Sequence, residues 1–219
     1  MAEYRETVAH SGSGILATHK VLRNTYMLLG MTLAFSAVTA FFSVAMGMPQ
    51  GMALMCLLGG VGISWFVLPR TWDKSSGLLW TFVFTGLLGA SLGPILNAYL
   101  AVAPTIVYQA LGGTAFIFLS LSAYTLITRQ DFGFMGGALM IGILTAVVLM
   151  VGGLIFQMPA VSLAASGMFM LICSGLILWQ TSEIVHNRED NYIRATVMLY
   201  MQIYNLFVSL LHILGVMND

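Results

Sequence analysis

Charge is scarce in this 219-residue chain. Lys and Arg number 8, Asp and Glu number 8, and 7% of residues are charged, with a formal net charge of zero. An ordinary soluble domain carries roughly 25%. The shortfall excludes a soluble globule, and the even balance leaves no basic surface for nucleic acid. Cysteine is nearly missing. Cys56 and Cys173 both sit inside apolar runs and form no Cys-x-x-Cys, which excludes a disulfide framework and a structural zinc site. No apolar run contains an aspartate, so an intramembrane protease built on two aspartates is excluded. His-Glu-x-x-His does not occur, and the four histidines (His10, His19, His186, His212) are too scattered to ligate a metal together. The sequence therefore predicts no cofactor, no metal and no enzymatic activity.

Apolar sequence is what remains: 59% of the chain is hydrophobic. A helix needs about 20 apolar residues to cross the hydrocarbon core. Seven such runs are readable: Val21–Met46, Gln50–Leu68, Gly77–Leu100, Thr105–Ile127, Met135–Gln157, Pro159–Val185 and Ala195–Val216. Only helices satisfy their own backbone over that length in lipid. The expected fold is an all-α membrane protein of seven transmembrane helices over residues 21–219. Residues 1–20, polar and Gly/Ser-containing, read as a flexible tail. The first run is longer than a signal-peptide core of about 7–15 residues, so it is expected to stay in the membrane. Pro49, Pro104 and Pro159 punctuate three very short connections.

The basic residues alternate with those connections. Arg5, Lys20 and Arg23 precede or open the first run. Arg70 and Lys74 follow the second, Arg129 the fourth, and Arg188 and Arg194 the sixth. Basic residues stay on the cytoplasmic side. The N-terminus is thus expected in the cytoplasm and the C-terminus in the periplasm.

Two motifs invite chemistry. Gly89-Ala90-Ser91-Leu92-Gly93 has the form of a nucleophile elbow, and His212 is the one histidine inside a run. An elbow requires a strand–turn–helix, whereas this one lies within a helical run, so a small-residue packing face is the better reading. Gly93-Pro94 also permits a bend. The last two runs are the most polar inside: Gln180, Thr181 and Glu183 in one, Tyr200, Gln202, Tyr204 and Asn205 in the other. Counted from the intervening loop, Gln180 and Gln202 fall at about 9 and 12 Å depth, close enough to meet if both face inward.

Thr114–Gly137 (TAFIFLSLSAYTLITRQDFGFMGG), Phe84–Leu100 (FTGLLGASLGPILNAYL) and Leu199–Gly215 (LYMQIYNLFVSLLHILG) resemble the fourth, third and last spans of the Bax inhibitor-1 family. Thr18–Ala40 and Asn191–Tyr200 are most similar to its YccA branch of bacterial inner-membrane proteins. The resemblance implies a seven-helix bundle with the last helix central between two layers. It implies a bacterial inner-membrane location, the lipid bilayer as surroundings, and a link to the membrane-anchored AAA protease FtsH as slowly degraded substrate and modulator. Residues 1–20, with Ala2, His10 and Lys20, would then be the handle the protease grips. The alternative it implies is a pH-controlled calcium leak. The family's two facing aspartates correspond to Gln180 and Gln202, which do not titrate and offer a hard cation only dipoles. Weak calcium binding at most is expected there, with Glu183, Asn205 and Arg70 completing the candidate polar core.

Overall fold

A computed structural model describes the backbone of residues 2–218, and the side chains of residues 20–218 apart from residue 154. Among the described residues seven helices are long and apolar enough to cross a membrane. We label them α1 (Ala2–Ala45), α2 (Gln50–Thr71), α3 (Ser76–Val102), α4 (Pro104–Thr128), α5 (Gly136–Ile155), α6 (Pro159–Val185) and α7 (Tyr192–Asn218). The tail residues Ala2 and His10 have side chains outside the described ones; the backbone there continues α1. Lys20 is exposed.

Proline sets several boundaries. Pro104 and Pro159 each open a helix, where a missing N–H costs nothing. Pro69 cannot donate to the carbonyl four residues back, and the turn before it widens into a π segment at Ile63–Val67. Pro94 divides α3 into Ser76–Ser91 and Gly93–Val102, at the bend the sequence predicts.

The helices form two groups with α7 between them. In one, α3 packs against α1 and α2; in the other, α6 packs against α4 and α5. Helix α7 touches α1, α3, α4 and α6. Buried α7 residues such as Leu199, Tyr200, Leu206 and Leu211 join clusters that draw on both groups. By contrast α2 and α5 each lean on one principal neighbour and turn large apolar side chains such as Trp65 and Leu144 outward.

Glycine makes the α1–α3 approach close. A Cβ on Gly89 would overlap the Ser36 carbonyl and Thr39 Oγ1; a Cβ on Gly93 would overlap Ser43 Oγ. The Gly89/Gly93 pair is therefore a groove that receives α1, because lipid supplies no hydrophobic drive and close backbone contact must substitute.

Candidate functional site

Helix α7 carries polar groups at every turn toward α1 and α3. Thr196, Tyr200 and Tyr204, spaced by four, share one face. Thr196 Oγ1 lies 3.2 Å from the Thr25 carbonyl. Tyr200 donates to the Thr85 carbonyl at 3.2 Å and accepts from Ser36 Oγ at 2.6 Å. Tyr204 donates to Ser91 Oγ at 3.0 Å, and Ser91 in turn donates to the Leu88 carbonyl at 2.7 Å. One further bond repairs α3 itself. Pro94 leaves the Ala90 carbonyl without its α-helical donor, and Ser43 Oγ donates to it at 2.7 Å.

Ser91 and His212 are not brought together. Ser91 is held by Tyr204, whereas His212 Nδ1 shares a hydrogen bond with Ser166 Oγ at 2.8 Å, and Ser166 Oγ also lies 3.1 Å from the Ser162 carbonyl.

The charged connections gather at the other end of α7. Asn191 caps α7, its Oδ1 accepting from Ile193 and Arg194 N–H at 3.0 and 3.1 Å. Its Nδ2 donates to the Trp72 carbonyl and to Asp73, both at 3.0 Å, which ties the α2–α3 connection to α7. Glu189, buried, takes two bonds from Arg194 at 2.6 and 2.9 Å, and the guanidinium stacks over Trp72 at 5.7 Å. Between these connections lies an open cleft of about 370 Å³ whose walls include Trp72, Lys74, Asp190 and Tyr192.

The α4–α5 connection is fastened similarly. Arg188 donates to Asp131 at 3.0 Å and to Glu183 at 2.8 Å. Ser182 Oγ accepts from Phe132 N–H at 3.0 Å. The Arg188 guanidinium, helped by the Gly133 amide, holds the Asp131 carboxyl well below the usual carboxylate range.

The predicted polar core is only partly assembled. Gln180 is buried, 3% exposed, and its amide nitrogen has no partner. Gln202 and Asn205 are half-buried. No hydrogen bond joins Gln180 to Gln202 among the described residues. Counted along the helices, Gln202 lies roughly 15 Å from the start of α7 and Gln180 roughly 8 Å from the end of α6. Glu183 is engaged by Arg188 rather than facing Gln180 as a spare acid. Arg70 is exposed at the end of α2 and donates to the Phe66 carbonyl of its own helix, away from the polar core. Sequence reasoning missed Ser36 and Ser43: a lone serine in an apolar run signals nothing until its partner helix is known.

The family model described as "Inhibitor of apoptosis-promoting Bax1" matches residues 18–219. The chain is 50% identical over 208 residues to the modulator of FtsH protease YccA of Escherichia coli, covering 94% of each chain. It is 47% identical over 206 residues to a membrane protein of Vibrio cholerae, covering 93% of this chain and 92% of that one. A Pseudomonas aeruginosa protein is 43% identical over 198 residues, covering 90% and 89%. With a family match over nearly its whole length and relatives of this identity, the chain is a multi-pass membrane protein that belongs to the Bax inhibitor-1 family.

Proposed function

We propose that this protein is an inner-membrane regulator of the AAA protease FtsH. The observation that carries the reading is the 50% identity, over 94% of both chains, to a protein named for modulating that protease. In this reading the N-terminus and the three charged connections face the cytoplasm. Every basic side chain from Lys20 onward is either Lys20 or Arg23, just before the apolar part of α1, or lies in or beside those connections, as the retention of basic residues requires. The polar segment of residues 1–20 is the part the protease engages, and the bundle behind it resists extraction. Held at the protease, the protein slows turnover of other membrane substrates.

A calcium leak has less behind it. Amides occupy both of the family's acidic positions, and the nearest acid, Glu183, already neutralises Arg188.

The test is a pull-down of the full chain from native membranes, combined with the half-life of an FtsH membrane substrate in its presence. Co-purification of the protease and a longer substrate half-life are expected. No co-purification with an unchanged half-life refutes the proposal. Deleting Ala2–His19 is expected to lengthen the protein's own half-life; an unchanged half-life removes the role assigned to the segment.

A further inference from the structure

The cleft between the α2–α3 and α6–α7 connections, about 370 Å³, stands at the small end of ligand pockets, which run roughly 300–1,000 Å³. It straddles two environments. Leu78 and Ile193 line it from the first turns of two membrane-spanning helices, α3 and α7, and Lys74 and Asp190 line it from the charged connections. Trp72 and Tyr192 complete that gradient, being the residue types that gather where hydrocarbon meets headgroups. Leu79, next to Leu78, is 65% exposed on the apolar side. The cleft therefore opens at headgroup depth.

Most charges of the connections have partners. Arg188 donates to Asp131 and Glu183, Arg194 to Glu189, and Asp73 accepts from Asn191. Lys74 and Asp190 are different. They line one cleft from its two connections and are exposed, and among the described residues neither makes an ion pair, with the other or with a third group. The field of Arg194 reaches Asp190 and Asp73, but its guanidinium is taken by Glu189 and by the Trp72 ring.

A cation and an anion held unpaired in one cleft select their ligand. A simple anion is repelled by Asp73 and Asp190, and a simple cation by Lys74. A divalent cation wants several anionic oxygens, and no group of three metal-ligating side chains occurs among the described residues. A folded partner needs roughly 20–30 residues a side, whereas nine wall this cleft. One small molecule that carries both charges satisfies both groups. Its cationic end is a primary ammonium, whose N–H groups a carboxylate accepts. A quaternary ammonium uses an aromatic cage, and here the Trp72 ring already carries Arg194. At headgroup depth the anionic end is a phosphate, which a lysine takes as a point charge.

We infer that this cleft binds the phosphoethanolamine headgroup of a membrane phospholipid, its ammonium on Asp190 and its phosphate on Lys74. Apolar Leu78 and Ile193 then meet the start of the lipid's glycerol and acyl region. The site stands apart from Gln180 and Gln202 and does not depend on any link to FtsH.

The experiment counts bound lipid by native mass spectrometry. The full chain, purified in detergent and stripped of lipid, is titrated with phosphatidylethanolamine, phosphatidylcholine and phosphatidylglycerol of one acyl composition. The ethanolamine lipid is expected to be retained about fivefold more than either of the others, the weight of one charge near a lipid surface. Asp190→Asn is expected to abolish that preference, and Asp190→Glu, which keeps the carboxylate, to retain it. Lys74→Met is expected to lower retention of the ethanolamine lipid about fivefold. Arg129→Met removes an exposed charge from the α4–α5 connection and is expected to change nothing. Equal retention of the three lipids overturns the inference. So does a preference that survives both Asp190→Asn and Lys74→Met, or one that Arg129→Met lowers as far. Soluble glycerophosphoethanolamine separates the two sources of the same headgroup. It is expected to displace the lipid only in large excess, and displacement at equal concentration overturns a membrane lipid as the occupant.

Discussion

Ser43 and Pro94 are two halves of one repair, which makes their coupling predictable. The hydroxyl of Ser43 donates to the Ala90 carbonyl at 2.7 Å, the group that an amide at position 94 would otherwise serve. Ser43→Ala leaves that carbonyl without a strong donor. A stranded buried acceptor costs about 1–3 kcal/mol in general, while interhelical bonds in membranes average about 0.6 and reach about 1.7 kcal/mol. Because Ser43 is buried, 2% exposed, the cost belongs near the top of the membrane range, about 1.5 kcal/mol, or roughly tenfold in the unfolding constant. In a Pro94→Ala background the new N–H at position 94 reaches Ala90, and Ser43→Ala is expected to cost only about 0.3 kcal/mol, a surplus bond in lipid. The coupling energy is then about 1 kcal/mol. Reversible unfolding by SDS in mixed micelles measures all four proteins. Equal costs of Ser43→Ala in the two backgrounds would refute the reasoning.

Three further outcomes follow from the geometry. Gly89→Val drives a side chain into the Ser36 carbonyl and Thr39, and is expected to cost about 1–3 kcal/mol in the same assay, with α1 displaced from α3 in cysteine cross-linking. Arg194→Met strands the buried Glu189 carboxylate; the loss is expected at about 2 kcal/mol, below the roughly 3–5 of a fully buried pair because Arg194 is 37% exposed. Asp131, whose carboxyl is held low in the folded state, stabilises the α4–α5 connection fully above its unfolded value of about 4 and loses that contribution only as pH falls through the lower folded value. Cross-linking of a cysteine pair placed across this connection and α6 is therefore expected to be unchanged from pH 8 to pH 5 and to weaken only in stronger acid. A transition near pH 6 would contradict it.

The seven spans were legible because lipid imposes length and apolarity on each helix separately. Proline at the short connections and glycine at positions 89 and 93 were legible for a similar reason: their local geometry permits few uses. Helix neighbours were not. In a bilayer the outside of a helix is as apolar as the inside, so no stripe marks which face meets which partner. Tyr200 reads as polar and buried, yet nothing in its neighbourhood of sequence names Ser36 or Thr85 as its partners. Gln180 and Gln202 share no hydrogen bond among the described residues, and the capping side chain of Asn191 starts α7 earlier than its charged first turn suggests. The fastening of Asp131 to Arg188 was also invisible, since both look like ordinary loop charges.

The helix that joins the two halves follows the other six in the chain. While α1 to α6 enter the bilayer, the Tyr200 and Tyr204 hydroxyls that will occupy Ser36, Thr85 and Ser91 do not yet exist in the membrane. A stalled or truncated nascent chain would leave those acceptors facing hydrocarbon, with two half-bundles free to drift apart. Insertion of α7 is thus the step that joins the two packed groups into one cooperative body.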